Sequence, residues 1–463
     1  MGALTGVDIS NEMSALARYI SDARYLEPPI EVIENAKIHL LDSIAAVVSG
    51  SVLPAGVRAR AWVEMAIAGN GGGASVLGRA LRTSPFGAAL ANGMAAHAGE
   101  TDDSHAQSLS HPGCSLVPAA IATGEVQNSS GADLLRAIIV GYDVGCRVGR
   151  SVKSAHRDRA KGLWSSHSVV GTFCSAAASG ALMGFTSDEA RYLLSYASQL
   201  ASGVTTWVRD SHHIEKAFVF AGMPASNGVL ASSMIAAGCD GVSDIFSGSP
   251  NWLEAMHDDH EIAALSAGLG TQFEINATTI KKYAVGSPSQ AAVEAMVELI
   301  RDEALQADEV EAITIKLPSE SAVIVDNRAM ANVNVQYLLA GTLLDGGFTA
   351  AMSHDQERLS DPQVRSLMNK MTLQGDESIA NSRAATLVVL RRKGETNSTI
   401  TRTVRDVRGT PRNPMTWQEV QDKAVDLMGG VLGADRSHQI CRFIAELDAS
   451  TSVRELASMT VPQ

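Results

Sequence analysis

Between positions 97 and 111 the chain reads HAGETDDSHAQSLSH, which puts His97, Glu100, Asp102, Asp103, His105 and His111 within 15 residues. Such crowding is costly unless the groups are solvated, paired or used. If the segment starts as a helical turn, Glu100, Asp103 and Ser104 share one face, and His111 follows just before a Pro-Gly break. A carboxylate and an imidazole that converge on one cleft can divide general acid and base work, because different surroundings push their pKa values apart. The competing reading is a helix cap followed by a solvated acidic turn. Asp and His are also metal ligands, but neither H-E-x-x-H nor an EF-hand loop is present, so no metal is expected.

Two further segments carry basic residues ahead of a helix start. WVRDSHHIEKAFVFAG holds Arg209, His212, His213 and Lys216, and IKKYAVGSPSQ holds Lys281 and Lys282. Cations beside free backbone N–H groups suit a carboxylate, although an exposed charged loop has the same composition. His167, in LWSSHSVVGTF, stands at a helix start and reads equally as catalytic or as a capping or core histidine. Tyr337, in VNVQYLLAGTLLDGG, sits in an apolar helix, where a packed aromatic is the default. The dinucleotide fingerprint, Walker A, G-x-S-x-G and C-x-x-C motifs do not occur, so the chemistry falls to side chains and no cofactor is expected. The five cysteines lack zinc or iron–sulfur spacing and read as buried thiols.

These groups need a scaffold. At 463 residues the chain exceeds the size at which a single core keeps growing, so two domains are expected. With 45% hydrophobic and 19% charged residues it is globular in composition. The net charge is −13 and no long Lys/Arg run is present, so nucleic acid is excluded as a partner, and an acidic ligand needs locally concentrated cations. MGALTGVDIS has no leader character, and no stretch reaches 18 uninterrupted apolar residues. A cytoplasmic protein without a membrane partner is therefore expected, the myristoylation-like Gly2 being too weak a signal to alter this.

From about residue 10 to 265 apolar residues recur near a 3.6 period. Pro28 and Pro29 open a helix in which Ile33, Ala36, Leu40 and Ile44 share a face, and further helices are expected over 131–150, 168–184, 187–203 and 222–238. After about 270 the pattern changes. EAITIKL alternates Ile313, Ile315 and Leu317 with Glu311, Thr314 and Lys316, and AATLVVLRRKG turns through Gly394 into NSTITRTVRDV. Helices over 288–303 and 333–345 complete an α+β unit. Thr416 and Glu419 then form a capping box that restores helix. The expected fold is mainly α: a large all-helical domain, 1–268 plus 408–463, with an inserted, smaller α+β lid domain at 269–407.

The motifs HLLDSIAAVVSG, NGMAAHAGETDDSH, SHPGCSLVPAA, GTFCSAAASGALMGF, NGVLAS, LLAGTLLDGG and the late NPMT, in this order over nearly the whole chain, resemble the MmgE/PrpD family. That family includes dehydratases, decarboxylases and epimerases of small polycarboxylates. The resemblance implies the same helical domain and lid, a homodimer, and a cofactor-free dehydratase-type lyase that abstracts a proton α to a carboxylate of a small di- or tricarboxylic acid. Decarboxylation, epimerisation and non-catalytic carboxylate binding are the alternatives. Position by position it implies catalytic roles for Glu100, Ser104, His111, Lys216, Lys281 and Tyr337, with Lys282 the lesser candidate for the later lysine. From the polar segments themselves, Asp103, His105, His167, Arg209 and Lys282 are expected to bind substrate. Three departures stand out. Glu100 replaces the family's aspartate, Ser165 rather than His167 aligns with its H-P-T histidine, and AVGSPSQ replaces the histidine or cysteines after the later lysine.

Overall fold

Several helix starts in this chain are set by side chains that satisfy the first free N–H groups. Ser10, Ser84 and Ser130 accept from the backbone N–H three residues on, and Thr186/Glu189 and Thr416/Glu419 form complete capping boxes. The structure, a computed structural model, describes residues 9–66, 73–152, 163–379 and 383–462. His156, a residue without an expected role, and the Gly2 start lie outside the described residues. Contacts gather the chain into two compact units, one of residues up to 98, 102–278 and from 416 on, the other of residues 99–101 and 279–415.

The first unit is helical. Its centre is the helix Ser166–Met183, packed by Gly131–Ser151, Met223–Ala236 and Gly113–Gln127. The approach is close because small residues line the contacts. A Cβ added at Gly145 would lie 2.7 Å from the Cys174 amide nitrogen, so that position excludes every other residue. The expected helices are all present, with ends shifted by a few residues: Ile30–Gly50, Gly131–Ser151, Ser166–Met183, Ser187–Leu200 and Met223–Ala236. The last is longer than its periodicity suggests, because the helical turn Glu215–Ala217 and a π-helical turn, Phe218–Gly222, run straight into it. Pro224 has no N–H to offer the carbonyl of Phe220, four residues back, and the wider i→i+5 turn accommodates this without ending the helix. The whole stretch Glu215–Ala236 is long and apolar enough to cross a membrane by length and composition, and most of its apolar window is buried within the protein.

The second unit carries a four-stranded sheet in the order Met371–Gly375, Val310–Leu317, Ala385–Lys393, Thr396–Val404. The first pair is parallel and the others antiparallel, with Ile313 opposite Val389 and Ile315 opposite Leu387. Ile313, Ile315 and Leu317 are buried as their alternation predicts. The tight turn at Gly394 uses a positive φ of 63°. The strand Met371–Gly375, with a single buried residue, has almost no periodic signal and was not expected from sequence. Helices Gln290–Glu303 and Val335–Leu344 contribute their apolar faces to this unit's core.

Candidate active site

The helix Pro85–His97 delivers His97, fully buried, at its last position. After the chain re-enters the first unit at Asp102, His105 and Ser110 exchange backbone hydrogen bonds of 2.8 and 3.2 Å, closing a small hairpin whose turn holds Leu109 at φ 51°. The hairpin returns His111 to the carboxylate it left nine residues earlier. Asp102 Oδ2 lies 2.9 Å from His97 Nδ1 and 3.1 Å from His111 Nδ1. That oxygen is hydrogen-bonded to His97 Nδ1 and within ion-pair distance of His111 Nδ1; a carboxylate beside Nδ1 favours the proton on that nitrogen and leaves Nε2 with the lone pair, the tautomer a base requires.

A second group of side chains closes on these from the π-helical turn and the helix start at 166. Phe220 stacks on His167 at 3.6 Å between ring centroids and on His97 at 4.4 Å. His111 lies 5.2 Å from His167, and His213 lies 5.1 Å from His97. Lys216 is buried, with Nζ 5.0 Å from the Phe220 ring centre and 5.9 Å from that of Trp207, within cation–π range of both. Its amide donates to Asp210 Oδ2 at 2.9 Å, which fixes the start of the helix. Four imidazoles, one carboxylate and one ammonium thus share a small, largely buried space walled by aromatic rings. Such a space can bind an anion, move a proton and exclude water.

In the second unit, Lys281 is fully buried and donates to Glu100 twice, to Oε2 at 2.9 Å and to the backbone oxygen at 3.1 Å. Glu100 needs this clamp, because its φ of 52° is unfavourable for a residue with a side chain. Glu100, Leu109 and His213 account for three of the six non-glycine residues with positive φ among the described residues. Strained backbone thus gathers in the segments that hold the polar cluster.

Residues 14–265 match the MmgE/PrpD N-terminal domain and residues 283–449 the MmgE/PrpD C-terminal domain. The chain belongs to the MmgE/PrpD family. Among its relatives, a cis-aconitate decarboxylase-like protein of Aspergillus oryzae is 26% identical over 490 residues, covering 97% of both chains. The cis-aconitate decarboxylase of Aspergillus terreus is 26% identical over 93% of this chain and 92% of its own. That of Mus musculus is 28% identical over 63% of this chain and 61% of its own.

Among the residues singled out by the MmgE/PrpD resemblance, the structure brings His111, His167 and Lys216 together in the first unit, and Glu100 with Lys281 in the second. Ser104 is buried in the short strand Ser104–His105. Ser165, aligned with the family's histidine, is the N-cap residue of the helix Ser166–Met183, while His167 supplies the imidazole against Phe220. Of the two lysines at 281 and 282, the first is buried on Glu100 and the second is exposed and paired with Glu294 at 3.2 Å. Arg209 is likewise exposed, at the end of a 3-10 turn. Tyr337 lies in the apolar core of its unit with its hydroxyl donating to the Met352 carbonyl at 2.7 Å.

The polar atoms of Asp103 and His105 are engaged by protein partners. Asp103 accepts from Tyr142, sits 3.1 Å from His39 Nδ1 and accepts the Gly113 amide at 2.9 Å. His105 Nε2 lies 3.1 Å from Glu274, which is itself paired with Arg147 and Arg150. Burial by itself opposes charge on His105, but Cys146 and Glu274 beside it outweigh that and raise its imidazolium to about 10. Burial likewise opposes a charged Glu274, and His105 with the two arginines reverses this and lowers its carboxyl. A folded value above the unfolded one, near ~6.5, means that the His105 contribution is complete below that pH and is lost as pH rises towards 10. The Glu274 contribution is present above its ordinary value of 4.5 and is lost as pH falls through the lowered one. Urea unfolding should therefore show a loss on the order of a few kcal/mol between about pH 6.5 and 10. That slope should flatten in His105→Asn; an unchanged slope in the variant would assign the loss to other groups.

Sequence reasoning missed Asp102, His97, His213, Phe220 and Trp207 as members of the site. Asp102 and the two histidines stood in segments already marked as polar. Nothing local distinguishes Phe220 or Trp207 from core aromatics, since only the π-helical turn aims Phe220 at the imidazoles.

Proposed function

We propose that this protein is a cofactor-free lyase for a small polycarboxylate, in which His111 moves a proton at the carbon next to a carboxylate. The observation that carries this reading is the Asp102 oxygen 3.1 Å from His111 Nδ1, in a buried cluster that also holds Lys216. Asp102 orients the ring so that Nε2 meets the substrate, and Lys216 balances charge that develops on the substrate carboxylate as the proton moves. His167, stacked on Phe220, supplies a second acid for the departing group. The same proton transfer serves loss of water, loss of carbon dioxide or epimerisation, and loss of water is the reading placed first.

Loss of carbon dioxide is the second reading, favoured by full-length relatives that carry the name cis-aconitate decarboxylase. The aromatic wall of Phe220 and Trp207 suits it, because a carboxylate that leaves as a neutral gas gains from a less polar surrounding. Glu100, where the family has aspartate, and Ser165, where it has histidine, point to a substrate that differs from that of the relatives.

The test is a panel of di- and tricarboxylic acids given to chelator-treated protein. Carbon dioxide release, ultraviolet absorbance of a new double bond and deuterium uptake from solvent are followed together. Turnover of at least one acid without added metal is expected. Binding of panel acids with no deuterium exchange into any of them would replace the lyase by a carboxylate-binding protein, and activity that returns only with metal would overturn the cofactor-free mechanism.

A further inference from the structure

The His97 and Asp102 of this cluster have a third neighbour whose chemistry the proton-transfer reading does not use. A donor atom from each of His97, Asp102 and Cys114 lies within 4.8 Å of the other two, and all three residues are buried. They come from fixed points of the fold: the last residue of the helix Pro85–His97, the turn after it, and the second residue of the helix Gly113–Gln127. We propose that His97, Asp102 and Cys114 form a site for a zinc-class divalent cation.

The donor set argues for that class. One imidazole nitrogen, one thiolate and one carboxylate oxygen are the ligand types of a tetrahedral zinc site with one open position. Magnesium and calcium, which take oxygen ligands, are disfavoured by the sulfur. Charge also balances, since a thiolate and a carboxylate neutralise a divalent ion, and a buried site with no net charge avoids the desolvation cost of an unpaired one. The Cys114 thiol now donates to the His111 carbonyl oxygen at 3.1 Å. On binding, its proton passes to solvent, the sulfur–metal bond replaces the S–H bond, and no electron is exchanged. A cysteine in the first turn of a helix loses its proton more readily than an ordinary thiol. Ligands at about 2.0–2.3 Å from zinc stand roughly 3.3–3.8 Å apart, so inward shifts of about 1 Å complete the site.

The functional consequence follows from the shared carboxylate. Asp102 Oδ2 is the atom that faces Nδ1 of both His97 and His111. A cation that takes Asp102 Oδ2 as ligand competes with His111 Nδ1 for that oxygen. The site is independent of which acid is turned over.

The experiment titrates the full-length, chelator-treated protein with Co2+ as a spectroscopic stand-in for zinc. A sulfur-to-cobalt charge-transfer band in the near ultraviolet and intense visible bands of tetrahedral cobalt, saturating at one equivalent, are expected, with both lost in Cys114→Ser. Absence of the charge-transfer band in the wild-type protein, or its persistence in a folded Cys114→Ser, overturns the proposal. X-ray absorption of the Zn2+-loaded wild-type protein needs no variant: a first shell with one sulfur and nitrogen or oxygen for the rest supports the site, and a shell without sulfur overturns it.

Discussion

Replacing His111 by alanine is expected to lower kcat on the best acid of the panel by about 10²–10⁴-fold, with a much smaller change in KM. This follows from placing the proton-transfer step on Nε2 of a ring whose Nδ1 faces Asp102 at 3.1 Å. Asp102→Asn tests the same step from the other side. The amide keeps the size of the side chain but loses the charge, and its NH2 group can present a donor to Nδ1, which favours the wrong tautomer. It should share most of the loss in kcat and shift the pH profile, whereas a change confined to stability would leave His111 unoriented by it. Steady-state kinetics across pH on both variants, with circular dichroism to establish folding, provides the measurement. A His111→Ala enzyme that retains more than about a tenth of wild-type kcat would remove this residue from the proton-transfer role.

The second large effect is expected at Lys281. Its ammonium is fully buried against the Glu100 carboxylate, so Lys281→Met removes the hydrogen-bonded cation from a buried carboxylate and puts an apolar chain of similar length beside it. Breaking one partner of such a pair costs about 3–5 kcal/mol, while replacing both with neutral groups costs far less. Denaturant unfolding of Lys281→Met, Glu100→Gln and the double variant should therefore show strong non-additivity, the double variant being more stable than Lys281→Met alone. The second hydrogen bond, from Lys281 to the Glu100 backbone oxygen, predicts that amide exchange around 99–101 accelerates in Lys281→Met even below the melting transition. Additive single effects within about 0.5 kcal/mol would show that the pair is not coupled.

Much of the scaffold was legible because its signals are local. Caps such as Thr416 with Glu419, the alternation through Ile313, Ile315 and Leu317, and the glycine turn at 394 act within a few residues, and the chain obeys them. Family membership was legible for a related reason, since ordered motifs spread along the chain are a property of the string. The exceptions were elements with weak local patterns: the strand Met371–Gly375, which owes its place to pairing with Val310–Leu317, and the π-helical turn at Phe218–Gly222, which accommodates Pro224 within a longer helix.

The site divides differently. Sequence alone determined which segments are rich in titratable groups, and it reached the stretch from His97 to His111, Lys216 and Lys281 without coordinates. Tertiary structure decided which of those groups face each other. Asp102 and Asp103 are adjacent and chemically identical, yet one meets two imidazoles while the other is held by Tyr142, His39 and the Gly113 amide. Lys281 and Lys282 part in the same way, one buried on Glu100 and the other exposed beside Glu294. Successive side chains leave the backbone in different directions, so composition can nominate a pair, but only the partners that long-range packing brings to each side determine which member is paired in the interior and which serves the cluster.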